Sequence, residues 1–406
     1  MLINHNPKYL ITFVHGTWGR NSRWTQSGSD LHKLLSDHYG QDCIRNFEWS
    51  GRNSHKARLS AGKRLSKALK NNINSYPQAN HFIVSHSHGG NVVLYALRDQ
   101  QIQKMLSGVM CMGTPFIHCQ PRDISESLGV ISYFFSSLRF LLYTCLVVGL
   151  CIGLPFLLVA FEDISRRGIN SRVTITITIL VFTIALAYFS VERIASLRGR
   201  LHRWAERRQM EVTQRLSLPD PKAMPFPIYC VRSKGDEAYV GLKISRVFGD
   251  LPYRFWRPGF QAIIIVIVAL ATAILSIRLP TVYLGNLSPF FIGSIAKTFI
   301  ATYSAVAISF QLLMLCLPFI SFSQFVFGGE RVLDSWFTQI TVSATPTPAD
   351  PHGDKTGLSL LGRQTNNVYY KTYSISGRGL RHCLIYTNKD FLRDVENLIH
   401  NRFSTP

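Results

Sequence analysis

Short apolar runs alternate with segments of helical spacing through the first part of the chain. Four of the runs predict strands, because each is brief and stops at Gly, Ser or Pro: KYLITFVH (8–15), CIRNFEWSG (43–51), HFIVSHS (81–87) and SGVMCMGTP (107–115). Between them, apolar residues recur three or four positions apart and predict helices over about 29–38, 57–73 and 91–99. This alternation predicts an α/β fold with a mainly parallel sheet and helices on both faces.

The same pattern returns late in the chain. FPIYCVRSKGDEA (226–238) predicts a fifth strand with an acidic turn at its carboxyl end, and NVYYKTYSI (367–375) alternates like a last strand. A polar linker rich in Thr, Pro and Gly is expected over about 341–367, and an amphipathic helix over 390–399. We therefore expect one sheet whose strands come from distant parts of the chain.

Four long apolar stretches interrupt this pattern, over 140–161, 173–191, 260–277 and 298–320. None contains an acidic residue, and each is close to the ~20 helical residues that cross a ~30 Å hydrocarbon core. They predict four spans arranged as two transmembrane hairpins. The predicted segments are then an N-terminal core part (1–125), a first hairpin (126–192), a basic helix and strand (193–258), a second hairpin (259–325) and a C-terminal part (326–406).

The formal net charge is +21, and many basic residues lie beside the predicted spans. The segment 192–212, for example, predicts a basic amphipathic helix. Such clusters attract anionic lipid headgroups, so the predicted partner is lipid rather than nucleic acid. Lys and Arg are more frequent on one side of the spans, and MLINHNPKYL lacks the pattern of a secretory signal. We therefore expect a multi-pass membrane protein with the α/β domain and both termini on the cytoplasmic side.

Candidate chemistry enters at SHSHGG, where the third strand stops and a helical pattern begins. In a G-x-S-x-G elbow the nucleophilic serine sits on a tight, strained turn, so the residues two before and two after it must be small. Ser87 meets this requirement with Ser85 before it and Gly89 after it. Choosing Ser85 instead would put the β-branched Ile83 in a small-residue position. Ser87 is therefore the predicted nucleophile.

A serine nucleophile needs a base within hydrogen-bond reach and an acid that orients that base. In one known arrangement the acid follows a late strand, and the histidine lies near the C-terminus before a final helix. Asp236 and His382 occupy those positions. Asp123 and Glu237 are also candidates for the acid. His352 is a weaker rival for the base, since no strand directly precedes it.

The tetrahedral intermediate requires backbone N–H donors for its oxyanion. His88, directly after the nucleophile, supplies one predicted donor. The second is expected from Thr17 or Trp18 in the loop after His15 and Gly16, because Gly16 allows the main chain to approach the substrate.

Metal and cofactor chemistry are not expected. Three imidazoles, those of His15, His86 and His88, lie near the same predicted edge, but side chains around a tight turn diverge and no carboxylate is spaced with them. The cysteines form no C-x-x-C pair, and we expect all eight to be small buried hydrophobes: Cys43, Cys111, Cys119, Cys145, Cys151, Cys230, Cys316 and Cys383.

Together, YLITFVHGTWG, SHSHGGNVVLYAL, CMGTPF, the GDE turn and the late RHCLIY histidine resemble the α/β-hydrolase superfamily. Within it they are most similar to the lipase and esterase branch that includes the GPI-inositol-deacylase-like lipases. The resemblance covers 8–120, 225–240 and 367–400. Two features depart from the pattern: Ser85 replaces the first elbow glycine, and apolar stretches stand where soluble relatives carry a lid.

The resemblance implies a membrane-embedded serine hydrolase that cleaves acyl esters of lipids through a Ser-His-Asp triad and an acyl-enzyme. The expected partner is thus a membrane lipid or an acylated substrate. Two different functions stay open at this point. One is a thioesterase acting on lipidated proteins, and the second is a non-catalytic membrane scaffold or binding protein derived from a hydrolase.

Overall fold

The computed structural model describes residues 7–121, 202–255, 340–345, 367–375 and 380–403, with short pieces at 181, 196, 199–200, 318–319, 321–323, 325–328 and 348. The described strands are β1 (Tyr9–Val14), β2 (Ile44–Phe47), β3 (Asn80–His86), β4 (Leu106–Met112), β5 (Phe116–Pro121), β6 (Ile228–Ser233), β7 (Ile340–Thr345) and β8 (Val368–Tyr373). The described helices are α1 (Asp30–Tyr39), α2 (His55–Ser75), α3 (Gly89–Ala96), α4 (Gln100–Met105), α5 (Glu237–Phe255), α6 (Arg381–Leu384) and α7 (Lys389–Phe403). Residues 202–216 are also helical.

Six of the strands form one sheet in the order β2-β1-β3-β4-β6-β8, and every neighbouring pair is parallel. The predicted mainly parallel sheet is therefore present. From β1 the chain moves outward to β2 and then returns to the other side of β1 with β3. In open α/β sheets, ligands bind beyond the carboxyl ends of the strands where the order reverses in this way. We therefore expect a ligand site beyond the ends of β1 and β3.

Helices cover both faces of this sheet, as its buried apolar positions show. On one face, α2 and α3 contribute side chains such as Leu65 and Val93 to a cluster that includes Ile83 of β3. On the other face, α1 and α7 pack side chains such as Leu31 against strand residues that include the neighbouring Val84. Adjacent strand residues point to opposite faces, so a strand buried on both sides is apolar at nearly every position.

A second, two-stranded sheet lies outside what the sequence pattern predicts. β5 pairs antiparallel with β7, with Phe116 opposite Thr345 and Pro121 opposite Ile340. The prediction that a polar linker begins near residue 341 is therefore wrong at its start. Thr and Ser alternate with apolar residues in β7, and its pairing with a strand far away in sequence leaves no local signal.

The expectation of four membrane spans is corrected by the structure. None of the helices in the described ranges combines the length and the apolar composition that crossing a bilayer requires. The ranges 140–161, 173–191, 260–277 and 298–320 themselves lie almost wholly outside the described residues. Run length and a lack of acidic residues describe composition only, and apolar segments that pack within proteins share both properties. The two hairpins and the predicted four-span location are therefore not supported.

The expectation for the cysteines holds for four described positions and fails at a fifth. Cys43, Cys111, Cys119 and Cys230 are buried and unpaired, whereas Cys383 is exposed. Burial raises the pKa of the Cys43 and Cys111 thiols to about 11. These thiols are therefore protonated and serve as small apolar side chains.

Two helical glycines provide a test of the packing. A Cβ on Gly62 of α2 would lie 2.5 Å from Tyr95 Cβ of α3, whereas a Cβ on Gly241 of α5 would meet nothing within 4 Å. We expect Gly62→Ala to lower the free energy of unfolding by about 1–3 kcal/mol through overpacking. Gly241→Ala should raise it by about 0.5–1 kcal/mol, because alanine is the better helix former. Urea unfolding followed by circular dichroism measures both changes, and equal effects would contradict the described α2–α3 contact.

Candidate active site

Ser87 occupies a strained turn between β3 and α3. Its φ is 53°, in the left-handed region, which costs a non-glycine residue on the order of 1–3 kcal/mol. The turn is held by the Ser87 N–H, which donates to the Met112 carbonyl of β4 at 2.8 Å, and by the Gly90 N–H, which donates to the Ser87 carbonyl at 3.1 Å. Ser87 is partly exposed within a run of buried residues. This is the tight strand-to-helix turn that the elbow pattern predicts at Ser87.

Two glycines allow the main chain to pass close to this turn. A Cβ on Gly16 would lie 2.6 Å from Ser87 Cβ and 2.9 Å from the His86 carbonyl oxygen. A Cβ on Gly89 would lie 2.5 Å from the Val14 carbonyl oxygen. Any larger residue at either position would have to displace backbone atoms. The main chain at the end of β1 therefore packs directly against the turn at Ser87.

Ser85 stands where the elbow pattern has its first glycine, and the structure shows how a side chain fits there. Its hydroxyl is buried and donates to the Met110 carbonyl of β4 at 3.1 Å. The side chain therefore lies along β4 rather than against the returning helix. Because this hydroxyl is buried and already hydrogen-bonded to β4, Ser85 is not placed to act as a nucleophile.

Asp236 and His382 form a buried pair at the same edge of the sheet. His382 Nδ1 lies 3.1 Å from both carboxylate oxygens of Asp236. Asp236 also caps α5, since its Oδ1 accepts the N–H of Ala238 at 3.0 Å and that of Tyr239 at 3.2 Å. A helix N-terminus stabilises a negative charge, so the cap and the pairing with His382 favour the same ionised state.

The charge state of Asp236 follows from its surroundings. Burial pushes the pKa of Asp236 upward, but the hydrogen bond and charge of His382, together with the charge of Arg232, outweigh this effect. The pKa of Asp236 therefore lies below its ordinary value. Arg232 Nε is 3.5 Å from Asp236 Oδ2, and its guanidinium lies over the Tyr239 ring at 3.5 Å from the centroid.

Ser87 and His382 each contact the carboxyl end of β4. The Met112 carbonyl accepts the Ser87 N–H, and the next residue, Gly113, borders the histidine. A Cβ on Gly113 would lie 3.1 Å from His382 Nδ1 and 3.6 Å from Asp236 Oδ2. The described hydrogen bonds do not include one from the Ser87 hydroxyl to His382. Such bonds are often long in free enzymes and shorten when substrate binds.

The predicted oxyanion donors differ in how they are used. Among the described hydrogen bonds, the N–H groups of Thr17 and His88 have no acceptor, whereas the Trp18 N–H donates to the Gly51 carbonyl at 2.9 Å. Thr17 is therefore a better candidate than Trp18 for the donor from this loop. Its hydroxyl is buried and has no partner in the described part of the chain.

The three histidines near the predicted edge are buried, and the contacts of His15 fix its tautomer. His15 accepts the Trp49 N–H at Nε2 (3.2 Å), which leaves Nδ1 to donate to the Gly16 carbonyl (2.9 Å). Burial lowers the pKa of His15, and burial lowers that of His86 to about 3 and that of His88 well below its usual value. All three are neutral. Within the described ranges, no group of three His, Cys, Asp or Glu side chains is arranged to hold a metal.

Two contacts of His382 have no signal in the sequence. The His382 N–H donates to Glu237 Oε2 at 3.3 Å, and His86 Nε2 lies 3.0 Å from the His382 carbonyl oxygen. Glu237, a candidate acid by its position, thus contacts the main chain rather than the imidazole. Asp123, the third candidate acid, and His352, the rival base, lie outside the described residues.

No protein-family model matches the chain, and no curated protein matches its sequence significantly. The resemblance to the α/β-hydrolase superfamily therefore stays a prediction that rests on the motifs and on the geometry at this edge.

The lowered pKa of Asp236 predicts a pH-dependent contribution to stability. A carboxylate whose pKa is lower in the folded state stabilises the fold above its unfolded value of about 3.9, and this stabilisation is lost as the pH falls toward the folded value. We expect Asp236→Asn to lower the free energy of unfolding at pH 7 by about 1–3 kcal/mol. The difference from wild type should shrink below pH ~4. Urea unfolding across pH measures it, and a difference that stays constant down to pH ~3 would refute the assignment.

Proposed function

We propose that the chain is a serine hydrolase of the α/β-hydrolase type that cleaves carboxylic esters. Ser87 is the nucleophile, His382 the general base and Asp236 the acid that orients the base. The observation that carries this proposal is the buried Asp236–His382 pair, joined at 3.1 Å, which contacts the same end of β4 as a serine with φ of 53°. A strained, partly exposed serine next to an oriented imidazole is the arrangement that covalent ester hydrolysis requires.

In the proposed reaction, the Ser87 oxygen attacks the ester carbonyl carbon while its proton moves to His382 Nε2. Nδ1 is already engaged by Asp236, which fixes the tautomer and stabilises the imidazolium. The C–O bond to the alcohol then breaks, and the alcohol leaves with the proton from Nε2. Water, deprotonated by the same nitrogen, hydrolyses the acyl-enzyme, and the proton returns to the serine.

The developing oxyanion would be held by the N–H groups of Thr17 and His88, which have no other acceptor among the described hydrogen bonds. Removing one such donor in other hydrolases costs on the order of 10²–10³ in rate. Gly16 supports the same arrangement by letting the loop approach Ser87.

The proposed substrates are lipids or proteins that carry an ester-linked acyl group. Two large apolar side chains are exposed close to the site: Trp18 is 79% exposed and Leu380, two residues before the base, is 61% exposed. Apolar side chains at the rim of a polar site favour a substrate with an apolar part. Because the membrane spans are not supported, the proposal does not include a membrane-embedded site.

Covalent labelling tests the nucleophile. We expect a fluorophosphonate probe to label the intact wild-type chain, with fluoride leaving as the Ser87 oxygen bonds to phosphorus. Ser87→Ala should abolish labelling, and His382→Ala should slow it by at least ~10³, as loss of a triad member does elsewhere. Ser85→Ala is the matched control, since its hydroxyl is buried, and it should label like wild type.

Absence of labelling in folded wild type would instead support a non-catalytic scaffold. Labelling that persists in Ser87→Ala and is lost in Ser85→Ala would show that the nucleophile is assigned to the wrong serine.

The substrate class is tested with p-nitrophenyl esters of increasing chain length. Burial of each CH₂ group contributes about 0.8 kcal/mol, so kcat/KM should rise from acetate to octanoate. We expect Leu380→Ser to reduce this preference about tenfold while leaving acetate hydrolysis unchanged. Met105→Ser is the control, because Met105 is also exposed but precedes β4 at the opposite edge of the sheet. An unaltered preference in Leu380→Ser would remove Leu380 from the acyl site.

A further inference from the structure

The main chain of His382 is held at both of its polar atoms by side chains from other elements. Its N–H donates to Glu237 Oε2 at 3.3 Å, and its carbonyl oxygen lies 3.0 Å from His86 Nε2. Glu237 begins α5, whereas His86 ends β3. Together with Asp236 on the imidazole, three side chains from two strand ends thus contact one residue.

Glu237 satisfies N–H groups that the short helix α6 cannot satisfy itself. The first four N–H groups of a helix have no acceptor within it, and α6 contains four residues. Glu237 Oε1 accepts the N–H of Arg381 at 3.2 Å while Oε2 accepts that of His382. A hydrogen bond from its own main-chain N–H, followed by those from these two amides, lowers the pKa of Glu237. The carboxylate is therefore ionised and a strong acceptor.

His86 must be the donor in its contact with His382, because a carbonyl oxygen can only accept. Burial, followed by the charge of His382, lowers the pKa of His86 to about 3. The imidazole is therefore neutral at pH 7, with its proton on Nε2. Its ring centroid lies 4.9 Å from that of His382, so it also packs against the base.

A helix of four residues has little stability of its own, because helix nucleation is unfavourable. The position of His382 is therefore set by contacts with other elements. A displacement of about 1 Å at a reacting group can cost on the order of 10²-fold in rate. Main-chain contacts on both sides of the base are well suited to prevent such a displacement.

We propose that Glu237 and His86 are positioning residues that hold the His382 main chain in place for proton transfer from Ser87. The proposal rests on the proposed hydrolase function and extends it. The two consecutive carboxylates contact different parts of the same histidine. Asp236 contacts the imidazole of His382, and Glu237 contacts its main-chain N–H. The described contacts of Glu237 are with main-chain N–H groups, whereas those of Asp236 include the His382 imidazole.

Steady-state hydrolysis of p-nitrophenyl butyrate by the intact chain tests this proposal. We expect Glu237→Ala to lower kcat about tenfold with KM within about twofold of wild type, since the base moves but the substrate site does not. Glu237→Gln keeps one acceptor oxygen, so its kcat should lie between those of wild type and Glu237→Ala. Glu206→Ala, which removes an exposed glutamate elsewhere, is the matched control and should leave kcat unchanged.

His86 is tested with a conservative and a disruptive variant. Gln places an amide N–H close to the position of Nε2, so His86→Gln should retain most of the activity. His86→Leu removes the donor and should lower kcat about tenfold. Thermal unfolding of each variant separates this effect from a loss of folded protein, and the surface position of Glu237 provides a second variant set if the buried His86 variants unfold.

A double-variant comparison distinguishes positioning from a general structural role. If Glu237 acts through the base, Glu237→Ala should cause no further loss of residual hydrolysis in a His382→Ala background. A further tenfold loss there, or wild-type kcat in both Glu237→Ala and His86→Leu, would overturn the proposal. The proposed function fails on a different result, namely activity that persists in Ser87→Ala, so the two failures are distinguishable.

Discussion

The close approach between the end of β1 and the turn at Ser87 is the constraint on which the candidate site depends. Gly16 and Gly89 leave less than 3 Å between an added Cβ and the neighbouring main chain, so the two segments can meet only if both are glycine. This contact holds Ser87 in its left-handed conformation and puts the N–H groups of Thr17 and His88 at the same edge. Strain of this kind persists only where the surrounding structure determines the conformation fully.

Charge is arranged around this turn so that the Asp236 carboxylate is ionised beside the His382 imidazole. The Asp236 carboxylate is stabilised by His382, by Arg232 and by the N-terminus of α5, and its pKa is lowered although burial alone would raise it. By contrast, burial keeps His15 and His86 neutral, and each engages a main-chain carbonyl. Histidines crowd this edge, and they differ in their hydrogen-bond partners: His382 contacts a carboxylate, whereas His15 and His86 contact main-chain carbonyls.

Much of the core could be predicted from the sequence, because its signals are local. The alternation of strands and helices predicts the parallel sheet, and the small residues around Ser87 predict the elbow. The contacts of Glu237 and His86 with His382 could not be predicted, since they join residues 145 and 296 positions apart through main-chain atoms that carry no sequence signature. The β5–β7 pairing escapes prediction for the same reason. The prediction of four spans is wrong because apolar composition does not specify what an apolar segment packs against.

The sheet order explains how residues so distant in sequence can meet. β3, β4 and β6 are neighbours, so their carboxyl ends place Ser87, Gly113 and Asp236 side by side, and β8 beside β6 leads the chain to His382. Residues 122–201 follow β5 in the chain, and residues 256–339 precede β7. The antiparallel pairing of β5 with β7 therefore holds together the points where these two segments begin and end. Closing a loop costs only about 0.6 kcal/mol more for each doubling of its length. Long intervening segments are therefore compatible with a site whose geometry is set by adjacent strand ends.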